Sequence, residues 1–193
     1  MVRTIEVADS DSTWDAAFAS EADALSQVFA DSLTAIHHIG STSIRDLPSK
    51  PIIDILVVLR ETDTIDRFSA GMEGLGYRVR GECLDATIPG TPGRFYFSKD
   101  TGGVRTHQVH ACAAGHSEIA DKLAFRDYLR AHPDRAAEYG ALKRDLALRH
   151  PHDIVEYIRG KDAFIKSVLN EAREWSHTRS VNSYRSPAGE LRR

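Results

Sequence analysis

The apolar positions change period along this chain, and each change marks an element. Trp14, Phe18, Leu25 and Phe29 recur as on one face of a helix and predict a helix over about 12–31. Ser12 reads as its N-cap, with Asp15 three residues on in the first turn. Ahead of it, residues 3–7 read as a short strand or an extended arm. LTAIHHI (33–39) reads as a strand closed by the tight turn GSTS. PIIDILVVL (51–59) is apolar on both faces, the pattern of a central strand covered on two sides, and one residue, Asp54, interrupts it. Helical spacing returns with Ile65, Phe68, Met72 and Leu75 over 64–76, ended by Gly76.

Further strands are predicted at 77–82, 94–98 and 104–112, the last two joined by a hairpin at Asp100-Thr101-Gly102-Gly103. A loop rich in Gly and Pro fills 85–93. From Ser117 the period is helical to the end of the ordered pattern. Helices are predicted at 117–131, 134–149 and 153–175, broken at His132-Pro133 and His150-Pro151. The polar tail, 176–193, reads as disordered. The fold class that follows is α/β (α+β): a mixed sheet of about five strands with flanking helices and a C-terminal helical block. The predicted domain is 1–175, divided into an α/β core to 115 and the helical block from 116.

Composition narrows the partners. Lys plus Arg number 25 against 28 Asp plus Glu, a net charge of −3, so no global basic field attracts nucleic acid or membrane. No apolar run is long enough to span a bilayer, and the acidic N-terminus does not read as a signal peptide. Cys83 and Cys112 sit in no metal-binding spacing and read as reduced, partly buried thiols of a cytoplasmic protein. The chain itself leaves the oligomeric state open.

Asp54 carries the most chemical information. A carboxylate in an apolar central strand is unfavourable unless paired or metal-bound, and acids in such positions often mark sites. The turn before it, Gly40-Ser41-Thr42-Ser43, offers backbone N–H groups and hydroxyls suited to a phosphate, although a plain turn has the same composition. Lys50 lies between them as a point charge. Together these suit phosphoryl or nucleotidyl transfer, where catalysis is mostly positioning and charge neutralisation. Arg105, His107, Gln108 and His110 follow on one predicted strand. Alternation puts Gln108 and His110 on one face and Arg105 and His107 on the other, so one of His107 and His110 is expected beside Asp54, and His110 is preferred. One of His37 and His38 must face inward, and His38 is placed to orient the turn. A few of Arg94, Lys99, Arg126, Arg130 and Lys143 could hold a phosphate or carboxylate, but all read as solvated charges, and Tyr128 and Tyr139 as core residues.

At this point the residues match a known pattern. HIGSTSIRDLPSKPIIDILV (38–57) strongly resembles the signature of the GrpB family, in the nucleotidyltransferase superfamily. VRTHQVHAC (104–112), LAFRDYLRAHPDRAAEYGALKRDLA (123–147) and TIEVADSDSTWDAAFASE (4–21) resemble further blocks of that family, so the resemblance covers about 4–170. It implies a nucleotidyltransferase-like mixed sheet. Relatives within dephospho-CoA kinases point to nucleotide or coenzyme A chemistry.

The implied site comprises Asp54 and Lys50 as catalytic groups. Gly40, Ser41, Thr42, Ser43 and Arg105 would bind phosphate, and Asp54, His110 and His107 a divalent metal, Mg or Mn. The donor would be a nucleoside triphosphate. This chain departs from a working nucleotidyltransferase pattern at Leu56, where a second carboxylate is expected, and from the family at Gln108, where histidine is usual. A mixed Asp/His site favours a softer metal than magnesium. The alternatives are therefore an enzyme acting on a small molecule, a catalytically inactive nucleotide- or coenzyme A-binding module, and an interaction domain with a vestigial pocket.

Overall fold

The first helix, α1 (Thr13–Phe29), buries Trp14, Leu25 and Phe29 on one stripe, as their spacing predicts. Its cap differs from expectation. Ser12 already has helical dihedrals and its side chain caps nothing, whereas Asp11 Oδ1 accepts the Thr13 N–H at 2.8 Å. That bond holds the Asp11 carboxyl below its ordinary pKa. Asp11→Ala is therefore expected to lower the midpoint of urea unfolding while Ser12→Ala leaves it unchanged. The reverse order would reinstate Ser12 as the cap.

The computed structural model describes residues 4–62, 65–82 and 91–183, with side chains as far as Ser176. After α1 the chain enters β1 (Leu33–Ile39), a single 3-10 turn at Ser41–Ser43, and β2 (Ile53–Leu59). The strand starts at Ile53 rather than residue 51, because Pro51 has no N–H and the Ile52 N–H folds back onto Lys50 O at 2.7 Å. A 3-10 turn (Ile65–Phe68) and α2 (Ser69–Gly74) follow, then β3 (Tyr77–Val79), β4 (Arg94–Thr101) and β5 (Val104–Ala113). Gly102-Gly103 make a two-residue hairpin turn inside the predicted four. The expected loop at 85–93 lies largely outside the described residues, as does Cys83; Cys112 is buried, its thiol pushed up to about 11 by desolvation.

The sheet order is β1-β2-β5-β4-β3, with β2 parallel to β5 and every other pair antiparallel, the mixed five-stranded sheet the pattern predicts. Ile53, Ile55, Val57 and Leu59 face one side and pack with Val109 and Ala111 beneath α1 and α2. Leu56, Val58 and Cys112 face the other side, against Ile119 and Leu123 of α3 (Ser117–Ala131). Both faces of β2 are thus covered.

The helical block continues with α4 (Pro133–Arg149) and α5 (Ile154–Ser183). Here α5 corrects the predicted end at 175. No Gly or Pro lies between Trp175 and Pro187, so the helix propagates through residues read as disordered tail. Tyr128, Leu129, Tyr139 and Val168 close this block around Ile44 and Leu47 of the segment between β1 and β2. The N-terminal arm is extended and lies across both parts: Ala8 bridges Ser49, and the Ile5 N–H bonds Pro151 O at 2.8 Å. Among the described residues no helix is long and apolar enough to cross a membrane.

Candidate functional site

The end of β1 and the start of β2 lie side by side, with Ile39 opposite Asp54. The next residue, Gly40, adopts φ +68° and ψ −173°, a backbone shape closed to side-chain-bearing residues. Its Cα lies directly against the Asp54 side chain: a Cβ there would sit 2.3 Å from Asp54 Oδ2. The turn and the carboxylate therefore occupy one place, as the spacing of Gly40 and Asp54 suggested. Asp54 keeps 27% of its side chain exposed, enough to be reached from solvent.

The turn is fixed from within and from α3. Ser43 Oγ donates to Gly40 O at 2.7 Å, and Thr42 Oγ1 donates to Ile52 O at 3.2 Å while meeting His38 Nε2 at 3.1 Å. Thr42 and Ser43 are buried and their hydroxyls build the turn rather than face a ligand, so of the groups expected to meet a phosphate these two hydroxyls are engaged elsewhere. Ser41 remains half-buried, beside the Tyr139 phenol. The Ser41 and Thr42 N–H groups open the 3-10 turn, where no acceptor within the turn is available to them. His38, buried and stacked on Phe18, is held below its ordinary pKa by desolvation, against the pull of Asp15. It orients the turn, as expected. Arg126 and Arg130, read from sequence as solvated, instead donate to His38 O (3.1 Å) and to Ser43 O (2.9 and 2.8 Å). One turn apart on α3, they clamp the carbonyls on either side of the Gly-Ser turn.

β5 contributes the second group. His110 Nε2 lies 3.9 Å from Asp54 Oδ1, and its ring packs against Tyr96 at 5.4 Å. Desolvation first, then Lys122, keeps the imidazole below its ordinary pKa, and its buried Nδ1 has no hydrogen-bond partner. His107 is on the opposite face, 3.8 Å from Glu21 Oε2 and beside Lys99, so it does not join Asp54. That removes one of the three expected metal ligands. Arg105 also departs from its expected face. The ladder slips between Lys99 and Asp100, leaving Thr106 as an extra residue, and this bulge turns Arg105 away from the His107 side. Its guanidinium binds Asp100 and the Tyr96 hydroxyl (3.0 Å) and is thus engaged in an ion pair rather than at the turn.

Among the described residues no cluster of three or more His, Cys, Asp or Glu side chains comes together. Leu56, where a second acid would stand, is fully buried. The donor set, one carboxylate and one imidazole, would suit at most a single divalent cation that takes its remaining ligands from outside the protein. It does not fit a two-metal site.

Lys143, read from sequence as solvated, is instead buried, and Lys161 was not singled out at all. Lys143 of α4 is 2% exposed, 3.4 Å from Ser49 Oγ and 4.7 Å from the Tyr139 ring centroid. Lys161 of α5 lies over the Tyr157 ring at 4.4 Å, and Lys50 approaches the same ring at 5.5 Å. Burial, then neighbouring lysines, pushes Lys143 down to about 7 and Lys161 to about 8; Asp54 is the acid that favours the charged form of both. α4 comes this close because Gly140 faces Pro48, where a Cβ would lie 2.8 Å from the ring. The signal was in the spacing: Lys143 falls between Tyr139 and Leu146, and Lys161 between Tyr157 and Ile165, each on its helix's apolar stripe.

Comparison with known proteins follows the same lines. The family model described as GrpB protein matches residues 4–171. The protein YqkA of Bacillus subtilis is 42% identical over 178 residues, covering 92% of this chain; the chain spans 50% of YqkA's length. The crystal structure of GrpB from Enterococcus faecalis superposes with a TM-score of 0.80 at 39% identity, covering 88% of this chain and 99% of that one. Terminal uridylyl transferase 4 of Trypanosoma brucei, solved with bound dUTP, superposes with a TM-score of 0.54 at 14% identity, over 88% of this chain and 56% of that one, a likeness of fold.

Proposed function

The chain belongs to the GrpB protein family, and from that premise we propose that the Gly40-Ser41 turn and Asp54 form the donor site of a nucleotidyltransferase-type protein. It binds a nucleoside triphosphate and transfers a nucleotidyl or phosphoryl group to a small molecule. The approach of Gly40 to the Asp54 carboxylate carries this reading, because it puts phosphate-binding N–H groups and a cation-holding acid within one ligand's reach. Asp54 and His110 would hold one divalent cation, manganese or magnesium, which neutralises phosphate charge when bound. Lys50 adds a positive charge beside Lys143 and Lys161. The fold neighbour with bound dUTP makes uridine nucleotides the first to test. A second reading, a nucleotide- or coenzyme A-binding module without turnover, is favoured by the buried Leu56.

The test is a thermal-shift series with ATP, CTP, GTP, UTP and coenzyme A, each with manganese, magnesium or EDTA, on the wild type and on Asp54→Asn. A nucleotide is expected to raise the midpoint by mass action, manganese to add to the rise, and Asp54→Asn to remove that added part. Pyrophosphate or phosphate release that Asp54→Asn abolishes supports transfer, whereas binding without release supports the module. No shift with any nucleotide overturns both.

A further inference from the structure

We propose that the Gly40-Ser41 turn takes up a proton together with its anion: His38 is protonated from solvent when phosphate binds, and Asp15 accepts the new N–H. This rests on the donor-site reading and deepens it by making the affinity of that site depend on pH.

The hydrogen bonds behind the turn decide which ring nitrogen carries the proton of the neutral imidazole. A carbonyl oxygen only accepts, so the single Thr42 O–H goes to Ile52 O (3.2 Å), and Thr42 Oγ1 accepts from His38 Nε2 (3.1 Å). Nδ1 of the neutral ring is then bare. It is buried, on a residue 5% exposed, and has no hydrogen-bond partner. Asp15 Oδ1, in the first turn of α1, stands 3.5 Å from it, with 85% of the Asp15 side chain exposed. Two acceptors face each other there, and a proton on Nδ1 turns them into an ion pair.

A buried nitrogen without a partner is unfavourable, and protonation would satisfy it. The surroundings oppose that step. Burial comes first, with Phe18 of α1 stacked on the ring at 4.7 Å, and Arg130 of α3 also disfavours the cation, whereas Asp15 and Asp54 of β2 favour it. Arg126 of α3 meets the same residue at its carbonyl oxygen (3.1 Å). An anion at the turn joins the side of Asp15 and Asp54. Thr42 links the two events, because its N–H opens the turn and its hydroxyl holds the ring. By linkage, an anion that favours the imidazolium binds more tightly as pH falls. The free ring titrates below its ordinary 6.5, so the tightening belongs to the acid side of neutrality.

The experiment follows the His38 ring by NMR from about pH 5 to 8, with and without ATP in EDTA, in the full chain and in Asp15→Asn. His38→Gln assigns the signal. ATP is expected to raise the midpoint of the His38 titration by about 0.7 pH unit or more, the counterpart of about fivefold tighter binding to the protonated form. Asp15→Asn is expected to lower the midpoint both with and without ATP. Asp15 is exposed, so its variant tests the proton's partner without touching the buried stack. If ATP binds only with magnesium, the same rise is required of the magnesium complex. ATP binding that leaves the His38 midpoint where it was would overturn the coupling and leave the donor site standing. A midpoint unmoved by Asp15→Asn would overturn it too. If ATP binds neither in EDTA nor with magnesium, the donor-site reading itself fails and the coupling with it.

Discussion

Gly40→Ala is expected to destabilise the protein by about 3 kcal/mol and to abolish the nucleotide-dependent rise in its unfolding midpoint. Two separable effects add. With φ at +68° and ψ at −173°, the backbone is in a region that only glycine occupies freely, which costs a side-chain-bearing residue about 1–3 kcal/mol. The new methyl would also lie 2.3 Å from Asp54 Oδ2 and 2.8 Å from Asp54 Cβ. Because Cβ is within the clash, rotating the carboxyl group does not relieve it. The Ile39–Asp54 pairing of β1 and β2 has to shift. A double-mutant cycle with Asp54→Gly separates the terms: the second change removes the steric part and leaves the dihedral part, so a coupling of about 1–2 kcal/mol is expected. Urea unfolding of the four proteins measures it. A Gly40→Ala protein as stable as wild type would mean that the turn does not hold Gly40 against Asp54.

This contact shows how far the site was legible. The central strand announced itself by apolar residues on both faces, so Asp54 stood out as its one interruption; alternation along β5 set His107 and His110 on opposite faces, and the register brings the preferred His110 to Asp54. Alternation failed for Arg105, two residues before His107, because Thr106 is inserted in the ladder and no residue type marks such a bulge. Thr42 and Ser43 look like ligands in sequence, but hydroxyls next to a turn also satisfy backbone carbonyls, and here they do. Arg126 and Arg130 lie on a helix whose charges read as solvated, and only the docking of α3 on the turn shows that they hold it. Lys143 and Lys161 were readable by the argument that found Asp54, since each interrupts an apolar stripe. Lysine stems so often lie along apolar surface with the amine in water that the interruption did not stand out.

Lys143→Met is expected to make the protein more stable, by about 2–4 kcal/mol at pH 6.5, and to flatten the dependence of stability on pH. Desolvation is the largest cause that brings the amine from its ordinary 10.5 down to about 7, with Lys161, Lys50 and Arg144 adding to it against Asp54. The folded pKa is below the unfolded one, so between about pH 7 and 10.5 the unfolded chain binds more protons at this site. Stability therefore rises with pH across that window. The contribution is complete above the unfolded pKa and is lost as pH falls through about 7. At about 1.4 kcal/mol per unit the full span is on the order of 5 kcal/mol. Lys161, pushed down to about 8, acts in the same direction with a smaller effect because water reaches it. Burial holds the Tyr139 phenol well above its ordinary pKa and Tyr157 at about 12, so neither titrates below pH 9.5. Methionine keeps the length of the stem over the Tyr139 ring, and Ser49 Oγ keeps its bond to Leu47 O at 2.9 Å, so the substitution leaves no orphaned group. Urea unfolding of both proteins from pH 6.5 to 9.5 checks the expectation: the wild type should gain stability on the alkaline side and the variant much less. A variant less stable than wild type at pH 6.5 would show that the amine contributes to the core.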